Sequence, residues 1–198
     1  MRDRNAPGRP REFDETEMLR KIMSLFWRAG YEGVSLSRIM TETGLQKASL
    51  YAAFGDKRSM YLKALALYHN DVVSAAANGL TDTARSPRER IEAFLSSPLV
   101  AAEKGDRSGC FLCNASADQA DQNDETKRQV SLGFERLLDG LVTALQALEL
   151  QVDAAQLRAR AAVYLGLYSG FRIMVRSGVP VAQLRASIDE ALRLLRAD

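Results

Sequence analysis

The chain has 198 residues, enough for one or two helical domains with cores of their own, and its 46% hydrophobic and 26% charged residues exclude a disordered chain. The net charge is only +2, but residues 1–63 carry 12 Lys/Arg against 8 Asp/Glu while residues 64–198 carry 15 against 17; a polyanionic partner is therefore expected at the front. No apolar run reaches the roughly 18 residues that span a bilayer, and two cysteines without an export signal predict a cytoplasmic protein with reduced thiols and no membrane partner.

Apolar residues recur three and four apart almost throughout, punctuated by Gly, Pro and Ser clusters, which predicts an all-α chain of about nine helices. Asp14 caps the first, Glu17 completes a capping box, Phe13 staples onto Met18, and Gly30 stops it. Its buried face reads Met18, Ile22, Leu25, Phe26, Ala29. Ser35 caps a short second helix ending at Gly44, and a third runs from Lys47 to Phe54. Gly55 breaks it, Asp56 caps a long fourth helix, and that helix runs toward Ala77 as a strut into a second domain.

Ser86-Pro87-Arg88-Glu89 opens the fifth helix as a capping box with proline at the first helical position, and Pro98 is expected to kink or end it. A short sixth helix over Cys110 to Asp118 follows. Three longer helices then present Val130 to Leu148, Leu157 to Val175, and Val181 to Leu195 as apolar stripes. The resulting division is a flexible basic arm (1–13), an N-terminal three-helix helix-turn-helix DNA-binding domain (14–56), a connecting helix (57–79), and a C-terminal helical ligand-binding and dimerisation domain (80–198).

Two short helices joined through a glycine and packed under a longer one match the helix-turn-helix, whose second short helix enters the major groove. Core positions claim Leu45, Leu50 and Phe54, leaving Gln46, Lys47, Ser49 and Tyr51 outside, a set suited to phosphates and base edges. A plain helical hairpin would have the same helices without that polar set.

The stretch from Gly33 to Lys57 resembles the DNA-binding signature of TetR-family transcriptional regulators at Ser35, Ile39, Gly44, the Leu50-Tyr51 pair, Phe54 and Lys57. The similarity runs from about Gly8 to Tyr68; beyond it only the helix layout matches. The resemblance implies that Tyr51 and Lys57 bind phosphates, Lys57 beside the positive N-terminus of the fourth helix. It further implies that Ser35 meets the backbone and that Gln46, Lys47 and Ser49 face bases. The chain departs from the family pattern at Gln46, where Ser or Thr is usual, at Ala48, and at Ala53, where histidine is common.

Ahead of the first helix, Gly8-Arg9-Pro10-Arg11 resembles the core of a minor-groove hook, with Arg9 and Arg11 as its contacts; a solubilising tail is the alternative. The resemblance also implies a homodimer on a palindromic double-stranded DNA operator, commonly as a repressor, released by a small-molecule effector of unknown identity. Candidate pocket residues are Phe94, Cys110, Phe111, Cys113, Tyr164, Tyr168 and Phe171, each also readable as plain core. Candidate dimer-interface residues are Gly166, Gly170, Leu184, Ile188 and Leu195.

Cys110 and Cys113 form Cys-x-x-Cys at the start of the sixth helix, where the helix dipole lowers a thiol pKa. That pattern admits a redox- or electrophile-sensing regulator, a thiol oxidoreductase, or two buried small hydrophobes. The oxidoreductase lacks its usual strand-helix-strand setting, and a single histidine, His69, composes neither a catalytic triad nor a metal set, so no enzyme, cofactor or metal site is expected.

Overall fold

The computed structural model describes residues 13–148 and 152–196, with side chains described as far as Arg193. The described residues form nine helices and no strand. They are α1 (Glu15–Ala29), α2 (Leu36–Thr43), α3 (Lys47–Phe54), α4, α5 (Pro87–Glu103), α6 (Phe111–Asp118), α7 (Asp124–Gln146), α8 (Ala154–Arg176) and α9 (Val181–Arg196). Helix α4 is continuous through Lys57–Tyr68, a π-helical turn His69–Val73, and Ser74–Thr81. No described helix is long and apolar enough to cross a membrane.

The local reasons for these boundaries lie in the caps. The Asp14 carboxylate accepts from the Thr16 and Glu17 N–H groups at 2.8 and 3.2 Å, and Ser86 and Glu89 cap one another reciprocally at the start of α5. Gly44 sits at φ 72°, ψ 5°, a left-handed turn between α2 and α3 that a side chain would strain.

Two expectations need correction. Pro98 neither ends α5, which runs on to Glu103, nor leaves its partner carbonyl bare: the Ser97 hydroxyl donates to the Phe94 oxygen at 2.9 Å, replacing the N–H that proline lacks. The fourth helix passes Ala77 and reaches Thr81, and its ladder slips by one residue at His69–Val73, where Ser74 N–H reaches the His69 carbonyl and the Ser74 hydroxyl joins it at 2.9 Å.

The main core is continuous from the front of the chain to the back. Ile22, Phe26, Ile39 and Leu50 from α1–α3 share one buried cluster with Leu65, Leu95, Phe111, Leu141 and Tyr168. Edge-to-face ring contacts carry it across the seam, Phe26 to Tyr61 at 5.2 Å, Tyr61 to Phe111 at 5.7 Å, Phe111 to Tyr68 at 5.6 Å, and Tyr68 to Trp27 at 4.9 Å. Each such side chain contributes about 1.5–3 kcal/mol by burial, plus about 0.5–1.5 kcal/mol per aromatic pair. A smaller cluster joins Leu99, Ala102, Phe171, Val175, Leu184, Ile188 and Ala191 between α5, α8 and α9.

Candidate nucleic-acid interface

Helix α3 is anchored by Leu50 and Phe54, 0% and 2% exposed, while Gln46, Lys47 and Ser49 are exposed and Tyr51 is 38% exposed. Lys47 and Tyr51 lie one turn apart, with the ammonium 5.8 Å from the ring centroid. Gln46 makes no side-chain capping bond, so the departure from a hydroxyl cap at this position costs α3 its usual first-turn acceptor and leaves an amide projecting from the helix start.

Ser35 caps α2: its hydroxyl accepts from the Arg38 N–H at 3.2 Å and lies 2.8 Å from the Ser37 hydroxyl. Lys57, the first residue of α4, is half-buried, its ammonium 4.3 Å from the centroid of the Tyr31 ring, which also carries the Arg58 guanidinium at 4.5 Å. The Asp56 carboxylate receives the Ser59 N–H at 2.7 Å, and that bond holds its pKa below the usual range. Tyr31 thus concentrates positive charge beside the start of α4.

Sequence reasoning omitted Tyr31 and Arg58, and also Ser37, Arg38 and Thr41, which are exposed on α2. Ser37 and Arg38 stand between Leu36 and Ile39, and Thr41 follows Met40, polar positions beside the apolar stripe and a signal that was open to reading. Nothing local in sequence announces that Tyr31 meets Lys57, because the contact is made across the fold. Arg9 and Arg11 lie outside the described residues.

The candidate pocket residues are packed rather than open. Phe94 stacks on Tyr168 at 4.1 Å, Phe111 is wedged between Tyr61 and Tyr68, and Tyr164 is 7% exposed. Phe171 is separated from them in the smaller cluster with α9. A surface cleft of about 450 Å³ lies elsewhere, lined by Arg28, Lys104, Gly105, Asp106, Arg107 and Ser108.

Leu184 and Ile188 were expected to face a second copy, but they are 0% and 1% exposed against Leu99, Phe171 and Val175 of their own chain. The single apolar stripe of α9 is satisfied internally, so these two residues have no surface to offer. On α8 the reverse holds: Val163 and Ile173 are 63% and 56% exposed, and a methyl group added at Gly166 or Gly170 would meet nothing within 4 Å. The side chain of Leu195 lies outside the described residues.

Comparison with known proteins agrees with the helix-turn-helix geometry. The family model for bacterial regulatory proteins of the tetR family matches residues 19–64. A cysteine-substituted form of the TetR-family regulator CifR, solved with 26-bp double-strand operator DNA, superposes with a TM-score of 0.81 at 26% identity, covering 94% of this chain and 98% of that one. Residues 19–64 match the TetR-family DNA-binding domain, and the chain as a whole has the fold of a TetR-family regulator.

Two curated relatives extend the similarity. The Bacillus subtilis HTH-type transcriptional regulator YezE is 28% identical over 159 residues, 78% of this chain and 81% of that protein. The Escherichia coli HTH-type transcriptional repressor ComR is 30% identical over 112 residues, so the match spans only 53% of its length. The family model thus covers the front of the chain, the YezE alignment 78% of it, and the structural match nearly all of it.

Proposed function

We propose that this TetR-family protein is a cytoplasmic transcriptional repressor that binds a palindromic operator as a homodimer and is released by a small-molecule effector. The observation that carries the reading is the split of α3 into buried Leu50 and Phe54 and exposed Gln46, Lys47, Ser49 and Tyr51. Tyr51 and Lys57 hold phosphates, Ser35 contacts the backbone at the start of α2, and Gln46, Lys47 and Ser49 read base edges. The fold shared with CifR, which was solved with 26-bp operator DNA, supports duplex DNA as the partner.

Dimerisation uses the outward face of α8, where Val163, Gly166, Gly170 and Ile173 share one side and allow close helix approach. Two recognition helices related by a twofold axis then read half-sites one helical turn apart. The test is retention of genomic fragments by the purified protein together with sedimentation analysis. Specific, salt-sensitive retention by a dimer is expected; a monomer, or no retention at low salt, rejects the reading.

A further inference from the structure

Cys110 and Cys113 are absorbed by none of this, and their surroundings differ from those of ordinary core thiols. Cys110 is the residue before α6, with extended backbone at φ −116°, ψ 127°, and is 2% exposed. Cys113 follows one turn later and is half-buried. The Tyr68 hydroxyl of α4 lies 3.6 Å from the Cys110 sulfur. From α8, the Arg172 guanidinium donates to the Tyr168 hydroxyl at 3.0 Å and the Ser97 hydroxyl at 3.2 Å, and lies 5.1 Å from the Tyr168 ring centroid.

Among the described residues the half-buried Arg172 has hydroxyl partners and no carboxylate partner. The groups that act on Cys110 are Cys113 on its own helix, Tyr68 on α4 and Arg172 on α8, with Tyr168 close by. Arg172 is the group among them that is charged at neutral pH. The Cys113 thiol and N–H, the Tyr68 hydroxyl and the Arg172 charge together lower the Cys110 pKa to about 6, against its burial. Cys113, facing that sulfur, is pushed upward and stays a thiol.

Helix α6 also grips the DNA-reading part of the chain. Asn114, adjacent to Cys113, donates to the Trp27 carbonyl at 3.0 Å and the Ser108 carbonyl at 3.1 Å. Asp118, at the far end of α6, receives the Tyr31 N–H at 2.6 Å. Arg176 of α8 donates to the Trp27 and Arg28 carbonyls at 3.3 and 3.2 Å. The C-terminal end of α1, and the Tyr31 ring that gathers Lys57 and Arg58, are therefore tied to the helix that begins with the thiol pair.

We infer that Cys110 and Cys113 form a dithiol–disulfide switch for a small peroxide, and that closing it shifts α6 and loosens the operator-binding conformation. The inference rests on the proposed function as an effector-controlled DNA-binding regulator, and names its effector class. The Cys110 thiolate attacks one peroxide oxygen and expels hydroxide, which takes up the proton released by Cys110, giving a sulfenic acid and water. The Cys113 sulfur then attacks the sulfenyl sulfur; the S–S bond forms, the Cys113 proton joins the departing hydroxyl, and a second water leaves. Two thiols lose two electrons and the peroxide gains them.

The mechanical consequence follows from spacing. Cys110 precedes α6 with extended backbone and Cys113 lies in its first turn, and a disulfide between them fixes their Cβ atoms about 3.5–4.5 Å apart. The new bond constrains the first turn of α6, one residue from Asn114 and its hold on Trp27. Trp27 is the single tryptophan and packs edge-to-face on Tyr68, so its emission reports that movement without DNA.

The test treats the reduced full-length protein with one equivalent of hydrogen peroxide and follows four readouts: thiol titration after denaturation, intact mass, Trp27 emission, and affinity for a selected operator. Expected are loss of both thiols, a mass lower by two hydrogen atoms, altered emission, and about tenfold weaker operator binding, all reversed by dithiothreitol. The reaction rate should fall as pH drops through about 6, where Cys110 becomes protonated. Cys113→Ser should bind operator when reduced yet lose no hydrogen atoms on oxidation. Two thiols surviving peroxide, or a disulfide that changes neither emission nor affinity, overturns the inference. A reduced protein that binds no operator overturns the proposed function instead, and the thiol, mass and emission readouts still decide the switch.

Discussion

Two regions of this chain place their polar groups in opposite ways. On α3 the anchoring side chains Leu50 and Phe54 are buried and every candidate contact group faces out. Around the start of α6 the chemistry is inside: Cys110, Tyr68 and Tyr168 are buried, and the half-buried Arg172 bonds to Tyr168. Stability and recognition are therefore separable on α3, where different residues carry them. In the interior they are coupled, because a group that reacts also packs.

The largest effect expected from this contrast is at the anchor. Leu50→Ala should cost about 2–5 kcal/mol, read as a lower midpoint in thermal or urea unfolding, with DNA binding lost along with the helix's seating. Lys57→Ala and Tyr51→Ala should leave unfolding nearly unchanged yet weaken binding to every duplex about 10–100-fold, the scale of one charge-assisted phosphate contact. If either also melted the protein, the separation on α3 would be broken.

Gly44→Ala sharpens the same point at the backbone. Nothing lies within 4 Å of an added methyl group, so the expected loss of about 1–2 kcal/mol comes from the left-handed φ of 72° alone. A measured cost near zero would show that the turn adapts. The smallest stability effect is expected inside: Tyr68→Phe removes one hydroxyl from Cys110 and should cost about 1 kcal/mol or less, while slowing alkylation of Cys110 near neutral pH because the thiolate loses a donor. Unchanged reactivity would argue that Cys113 and Arg172 suffice.

The front of the molecule was legible in sequence because its signals are local. Asp14, Ser35 and Asp56 each cap the helix they precede, and Gly44 occupies the conformation that its place between α2 and α3 implied. The outward set on α3 followed from helical periodicity alone. The back was less legible because its decisive contacts join distant segments. Periodicity identified Leu184 and Ile188 as one apolar stripe, but it carries no information about whether that stripe meets α5 of the same chain or a second copy. Pro98 did not end α5, since the Ser97 hydroxyl one residue earlier satisfies the Phe94 carbonyl that the proline leaves without its N–H. Likewise the Cys-x-x-Cys spacing suggested reactive thiols, but Tyr68 and Arg172 lie 42–45 and 59–62 residues away in sequence and only the fold brings them to the pair.

The account depends most on the outward face formed by α3 and the start of α4, and the salt dependence of operator binding measures it directly. For the Tyr51→Ala/Lys57→Ala double variant we expect an unaltered helical content, a lower affinity, and a plot of log affinity against log salt that is shallower by about one phosphate's worth of released counterions. The same affinity and the same slope as the unsubstituted protein would contradict it.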